Sequence, residues 1–278
     1  MSPNPYALAE ALVAAQRWES ARTAIGEALA REPDEPKLLG LLVRTLRAQR
    51  DRPGALDASR RLLSVAPADP YSLRLATLVL LDVGWVDEAV ALATRAVEFD
   101  PTNAANHLAL SRAWASSARP EAIGHQLSAA REAVLLDPHS VDAQLQIGVA
   151  LQADGDPAAA REAFGEALRR DPSNTAALNN LAVLEMQVGS PADAARWLAG
   201  CLAVDPQGAS ARHNLDALAV LVARQAASWL LVAPLPALVA AGAGQPALAR
   251  ALAVLAVIGV PLVGLRWWRA STAGQRRA

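Results

Sequence analysis

The chain has 278 residues, with 26 basic and 27 acidic side chains, a formal net charge of minus 1 and one cysteine, Cys201. This balance excludes nucleic-acid binding through bulk positive charge, and the unpaired cysteine excludes a disulfide scaffold. Hydrophobic residues make up 53% of the chain and aromatic ones only 4%, so alanine carries much of the apolar content and an all-helical chain is expected. The charge is divided unevenly. From Arg224 onward there are six arginines and no acidic residue, which predicts two differently solvated parts.

Taken in chain order, helix-breaking prolines recur at Pro33, Pro67, Pro101, Pro138, Pro172 and Pro206, at intervals of 34, 34, 37, 34 and 34 residues. A fixed period of this length is the mark of a repeat architecture. Asp100, Asp137, Asp171 and Asp205 precede four of the prolines, and each Asp-Pro step ends one helix and opens a turn. Small residues keep the same register: Ala21 and Ala28, Ala89 and Ala96, Ala160 and Ala167, Ala194 and Cys201 lie 12 and 5 residues before a proline. Gly84, Gly155 and Gly189 stand 17 residues before a proline, where a turn between two helices of about a dozen residues each is predicted. Leu39, Leu42 and Leu46, and Leu178 and Leu181, follow the spacing of one helical face.

With this period, these small residues and the closing proline, the chain resembles the tetratricopeptide repeat family, whose unit is a 34-residue pair of antiparallel helices. The segment from Asn179 to Pro206, NNLAVLEMQVGSPADAARWLAGCLAVDP, is similar to a family repeat from the middle of its first helix onward. The resemblance implies an all-α solenoid of six helical hairpins, at about 2–35, 36–69, 70–103, 104–140, 141–174 and 175–208. A polar capping helix is expected over 209–225. Two departures stand out: Leu62 occupies a slot where a small residue is usual, and the fourth segment has Gln126 there and a lengthened turn around Ser116 to Pro120. Repeats two and four are therefore expected to pack less regularly.

The resemblance also implies that the first helices of successive repeats line a groove. In the family register its amides are Gln146, Asn180 and Asn214, with Asn179 and Gln187 beside them. A side-chain amide donates and accepts at once, which suits the main chain of an extended peptide. The front half of the groove presents Arg44, Arg47, Arg74 and Arg112, which favour acidic side chains on the partner. The Lys and Asn combination of the family's two-carboxylate clamp is missing, so a chaperone-tail partner is not implied.

Residues 225–244, QAASWLLVAPLPALVAAGAG, and 251–265, ALAVLAVIGVPLVGL, carry no charge. A bilayer core needs about 20 helical residues, so two transmembrane helices forming a hairpin are expected over 226–268. Pro234 and Pro236 weaken the first span by removing backbone donors. Trp229, Trp267 and Trp268, with Arg266 and Arg269, match an interfacial aromatic belt, and the basic tail 269–278 points to the cytoplasm. The N-terminus, MSPNPYALAE, does not read as a signal peptide. The repeats are thus expected to face the cytoplasm from the inner membrane, with the lipid bilayer held through the hairpin.

No catalytic or cofactor motif emerges. His107, His125, His139 and His213 lack metal-ligand spacing. Asp154-Gly155-Asp156 opens like a calcium loop, but Ala159 and Gly165 stand where its glycine and glutamate belong. Gly242 and Gly244 have no third glycine for a dinucleotide loop. The sequence therefore predicts no enzyme, no metal and no cofactor. It reads as a membrane-anchored scaffold for a protein or extended peptide partner, or alternatively as a regulatory or assembly subunit of a membrane transport or secretion complex.

Overall fold

The computed structural model describes residues 5–232, and the side chains of 6–225. Among the described residues there are thirteen α-helices and no strand: α1 Pro5–Ala14, α2 Trp18–Leu29, α3 Pro36–Ala48, α4 Arg52–Val65, α5 Pro70–Val83, α6 Val86–Phe99, α7 Ala104–Ala115, α8 Ala122–Leu136, α9 Val141–Asp154, α10 Pro157–Arg170, α11 Thr175–Gln187, α12 Pro191–Val204 and α13 Ala209–Val232.

The proline period sets where these helices begin. The second residue after each of five prolines is the N-cap of an odd-numbered helix: Glu35, Asp69, Asn103, Ser140 and Asn174. Each side chain accepts a bond from a backbone N–H in the first turn, such as Ser72 N to Asp69 at 2.9 Å and Ala177 N to Asn174 at 3.0 Å. These bonds satisfy donors that a helix start otherwise leaves unpaired. The proline carbonyls are satisfied in the same register. Arg61 and Arg95, each 28 residues on, donate to Pro33 O and Pro67 O at 3.0 Å. His107, Gln144 and Arg212, each six residues on, reach Pro101 O, Pro138 O and Pro206 O at 2.8, 3.4 and 2.5 Å. His107 must carry its proton on Nε2 to make that bond.

The hairpin turns obey the period too. Gly84, Gly155 and Gly189 have φ of 82°, 86° and 82°, and Gln16 and Arg50, in the same register, have φ of 55° and 58°. The left-handed turn recurs at five of these connections, two of which make it without glycine, whereas the longer α7–α8 connection has no residue at positive φ.

Two compact units divide the chain, the first running to Asp156 and the second starting at Pro157. The division falls inside the fifth predicted repeat, between α9 and α10. In the first unit, α1 pairs with α2, α3 with α4, α5 with α6 and α7 with α8, while α1 packs on α3, α3 on α5, α5 on α7 and α7 on α9. The second unit follows the same plan, with α11 paired to α12 and packed on both α10 and α13. Alanines at the helix crossings, including Ala21, Ala89, Ala96, Ala160, Ala167 and Ala194, are fully buried and allow close approach.

The irregular slots resolve differently. Leu62 is fully buried in the core built by α1 to α5, so the larger residue fills space that alanine fills elsewhere. Gln126 is also buried, and its Nε2 finds no hydrogen-bond partner among the described residues. Ser111 Oγ donates to the main-chain oxygen of Gln126 at 3.0 Å, fastening α7 to α8 at that point. The three extra residues of this segment lie between α7 and α8, where Trp114 stacks on His125 at 4.5 Å and Arg119 lies over the Trp114 ring and pairs with Asp87 at 2.7 Å.

The last helix does not stop near residue 225 but continues as one helix to Val232. Its exposed surface is mixed: Arg212, His213, Asp216 and Arg224 share it with Leu215 at 42% and Val220 at 60% exposure. The predicted hairpin at 226–268 lies outside the described residues from 233 onward, with Trp267, Trp268, Arg266, Arg269 and the tail, and the side chain of Trp229 is not described either. Among the described residues, no helix is long and apolar enough to cross a membrane.

Candidate functional site

The predicted groove residues all stand on odd-numbered helices, but the structure engages them unequally. In the first unit, Arg44 and Arg47 lie one turn apart on α3. Arg47 Nε donates to Asp82 Oδ2 of α5 at 2.6 Å, whereas Arg44 is exposed and has no ion-pair partner among the described residues. Arg112, on α7, reaches Asp142 of α9 at 3.9 Å, with both side chains well exposed. Such a pair contributes little and leaves the guanidinium available.

Arg74 is committed to the fold. It lies half-buried on α5, donates to Asn106 Oδ1 at 2.9 Å and sits 5.3 Å from the Tyr71 ring centroid. Desolvation lowers its pKa from the ordinary arginine value, opposed by Tyr71, Asp69 and Asp100. Asn106, which the sequence reading did not single out, is the centre of this arrangement. Fully buried, it accepts from Arg74 and donates from Nδ2 to Ala96 O at 3.1 Å and Asp100 O at 2.9 Å. It thereby ties three consecutive helices together with every polar atom used. No local motif flags it, because its partners lie 6, 10 and 32 residues away.

Gln146, on α9 in the first unit, is only 8% exposed, so little of its amide reaches solvent. The remaining amides belong to the second unit. Asn179 and Asn180 are half-buried on α11, Asn214 is half-buried on α13, and Gln187 is exposed at the end of α11. Asn214 Nδ2 donates to Asn179 Oδ1 at 2.8 Å. That bond spans one repeat length and uses part of the hydrogen-bonding capacity of each amide. Asn180 makes no hydrogen bond among the described residues, so its amide keeps both donor and acceptor capacity.

Among the described residues there is no group of three His, Cys, Asp or Glu side chains placed to hold a metal ion. Cys201 is buried at 4% exposure, its thiol 3.6 Å from Thr175 O, and burial pushes its pKa upward, helped by Asp205. A thiol so placed is a poor nucleophile.

A family model for the tetratricopeptide repeat matches residues 6–72 and 145–209, so these two stretches are similar to that repeat. Solved structures share the fold. TTC0263, a thermophilic tetratricopeptide-repeat protein of Thermus thermophilus, is 21% identical with a TM-score of 0.63, over 67% of this chain and 100% of that one. PilW, a type IV pilus biogenesis factor, is 17% identical with a TM-score of 0.63, over 76% of this chain and 96% of that one. The pilF protein of Pseudomonas aeruginosa is 14% identical with a TM-score of 0.56, over 75% and 94% respectively. At these identities the likeness is one of fold. No curated protein matches the chain.

Proposed function

We propose that this chain is a membrane-anchored interaction scaffold, which holds an extended segment of a protein partner along α11 and α13 of its second unit and is tethered through residues 226–268 with its repeats on the cytoplasmic side. Binding, rather than chemistry, is its activity. The observation that carries the reading is on α11 and α13, where Asn214 is bonded to Asn179 while the half-buried amide of Asn180 has no partner among the described residues. An unspent amide on a row of stacked first helices suits the main chain of an extended peptide, which offers donors and acceptors in alternation. In the first unit, the free charge of Arg44 and the weakly held Arg112 favour acidic residues in whatever polypeptide docks there.

The anchor rests on composition. Residues 225–244 carry no charge and are long enough for one helical span. Since α13 runs unbroken to Val232, the repeats would join that run by helix and not by a loose linker.

Fractionation with an alkaline carbonate wash, comparing the full chain with one ending at Val232, tests the anchor; retention of only the full chain in the washed pellet is expected, and equal release of both would refute anchoring. A photo-crosslinker at Asn180 tests the groove against one at exposed Ala199 on α12. The partner is expected to crosslink from Asn180 alone, and equal capture at both positions would remove the groove assignment.

A further inference from the structure

The first unit contains a cleft of about 480 Å³, lined by Arg47, Arg50, Arg52, Pro53, Ala55, Val79 and Asp82, of which the groove reading uses only Arg47. It lies where the α3–α4 turn meets the last turns of α5. Its floor is apolar, from Pro53, Ala55 and Val79, and its rim is cationic. The sequence from Arg44 to Arg52, RTLRAQRDR, holds four arginines and one acid.

The nearby acids are already occupied. Asp82 is paired with Arg47 at 2.6 Å. Asp51 caps α4 by accepting from Gly54 N at 3.0 Å and pairs with Arg22 at 3.4 Å. Arg50 and Arg52 are both exposed, and neither guanidinium has a hydrogen-bond or ion-pair partner among the described residues. The cleft therefore carries two uncompensated positive charges above an apolar floor. Arg50 is also the residue that makes the hairpin turn at φ 58°, where three other hairpins use glycine.

We propose that this cleft is a second docking point, for an acidic stretch of the partner polypeptide in which two carboxylates flank an apolar residue. Arg50 and Arg52 each engage one carboxylate through paired N–H donors, and the apolar residue lies against Pro53, Ala55 and Val79. Charge complementarity selects the ligand, because forked guanidinium donors match carboxylate geometry. The cleft volume falls within the ordinary range for small ligands, about 300–1,000 Å³, so it seats a few side chains and not a folded partner. This assignment deepens the scaffold reading and rests on it for the nature of the partner, but it uses none of the amides on α11 and α13.

The test is fluorescence anisotropy with the full chain in detergent, using a labelled peptide of alternating glutamate and valine against its glutamine counterpart. The acidic peptide should bind, weaken at least tenfold between low salt and 0.5 M salt, and weaken at least tenfold in the Arg50→Gln, Arg52→Gln double variant, while Arg31→Gln, at an exposed arginine that does not line the cleft, leaves its affinity unchanged. Arg50→Gly, which suits the turn, should also weaken binding while the fold is kept. Equal affinity for both peptides, or full affinity in the double variant, would overturn the cleft assignment and leave the groove standing. Loss of acidic-peptide affinity in Asn180→Ala alone would move the acidic site to the groove.

Discussion

Glu185 of α11 is 5% exposed, and its Oε1 accepts from Nε of Arg161 of α10 at 2.8 Å. A buried carboxylate needs a cation or several donors, and here the half-exposed guanidinium supplies them from the neighbouring helix. The hydrogen bond to Glu185 raises the Arg161 pKa above the ordinary arginine value. A raised folded pKa means that this contribution is complete below the arginine range and is lost only as pH climbs through it, so it persists across the neutral range. Arg161→Ala should cost about 1–3 kcal/mol, the penalty of an unpaired buried acceptor, and Glu185→Gln should cost less, because the amide oxygen still accepts. Urea midpoints of the two variants check this; a neutral Arg161→Ala would show that water replaces the guanidinium.

The left-handed turns make opposite predictions for two substitutions. Arg50→Gly relieves a side chain held at φ 58° and should stabilise the protein by up to about 1 kcal/mol. Gly84→Ala should destabilise by about 1 kcal/mol, and for conformational reasons alone, since an added Cβ there meets nothing within 4 Å. Thermal melts of the pair decide the matter, with the midpoints expected to move in opposite directions.

Ala96 and Leu62 occupy the same place, five residues before a proline, and both are fully buried. If the space is set by local neighbours and not by the repeat, both exchanges should be damaging. Ala96→Leu should lose about 1–3 kcal/mol through overpacking, and Leu62→Ala about 2–5 kcal/mol through the cavity it leaves. A mild Leu62→Ala would mean that α3 and α4 close up to the usual spacing. Chemical denaturation of each variant gives the answer.

Cys201, buried against Thr175 O with its pKa raised by desolvation, should resist iodoacetamide at pH 8 in the native protein and react fully in urea. Its raised folded pKa also means that its share of stability is present below the ordinary thiol pKa and is lost as pH rises through the folded value. Mass spectrometry of the alkylated protein reads the first effect, and stability at pH 8 against pH 10 in Cys201→Ala and the parent reads the second.

Much of the architecture is decided within short stretches of chain. Proline ends a helix, the residue two places on caps the next one, and the position 17 residues earlier turns the hairpin, so the 34-residue period was legible without coordinates. The same logic assigned the groove residues to first helices, and each of them stands on an odd-numbered helix. It did not foresee the half-buried bond of Arg74 with Asn106. It also ended α13 too early, although no breaker stands near residue 225.

What the sequence determined by itself is the set of helix ends, the repeat length and the small residues at the crossings, all governed by backbone sterics and capping over a few positions. What only the tertiary structure decided is the choice of partners one repeat away: Arg74 with Asn106, Arg161 with Glu185, Asn214 with Asn179, and the two arginines left over at the cleft. The period brings many polar side chains near one another across a stack. Which of them bond, and which stay free for a ligand, depends on burial and distance between packed helices, and those exist only once the hairpins have docked.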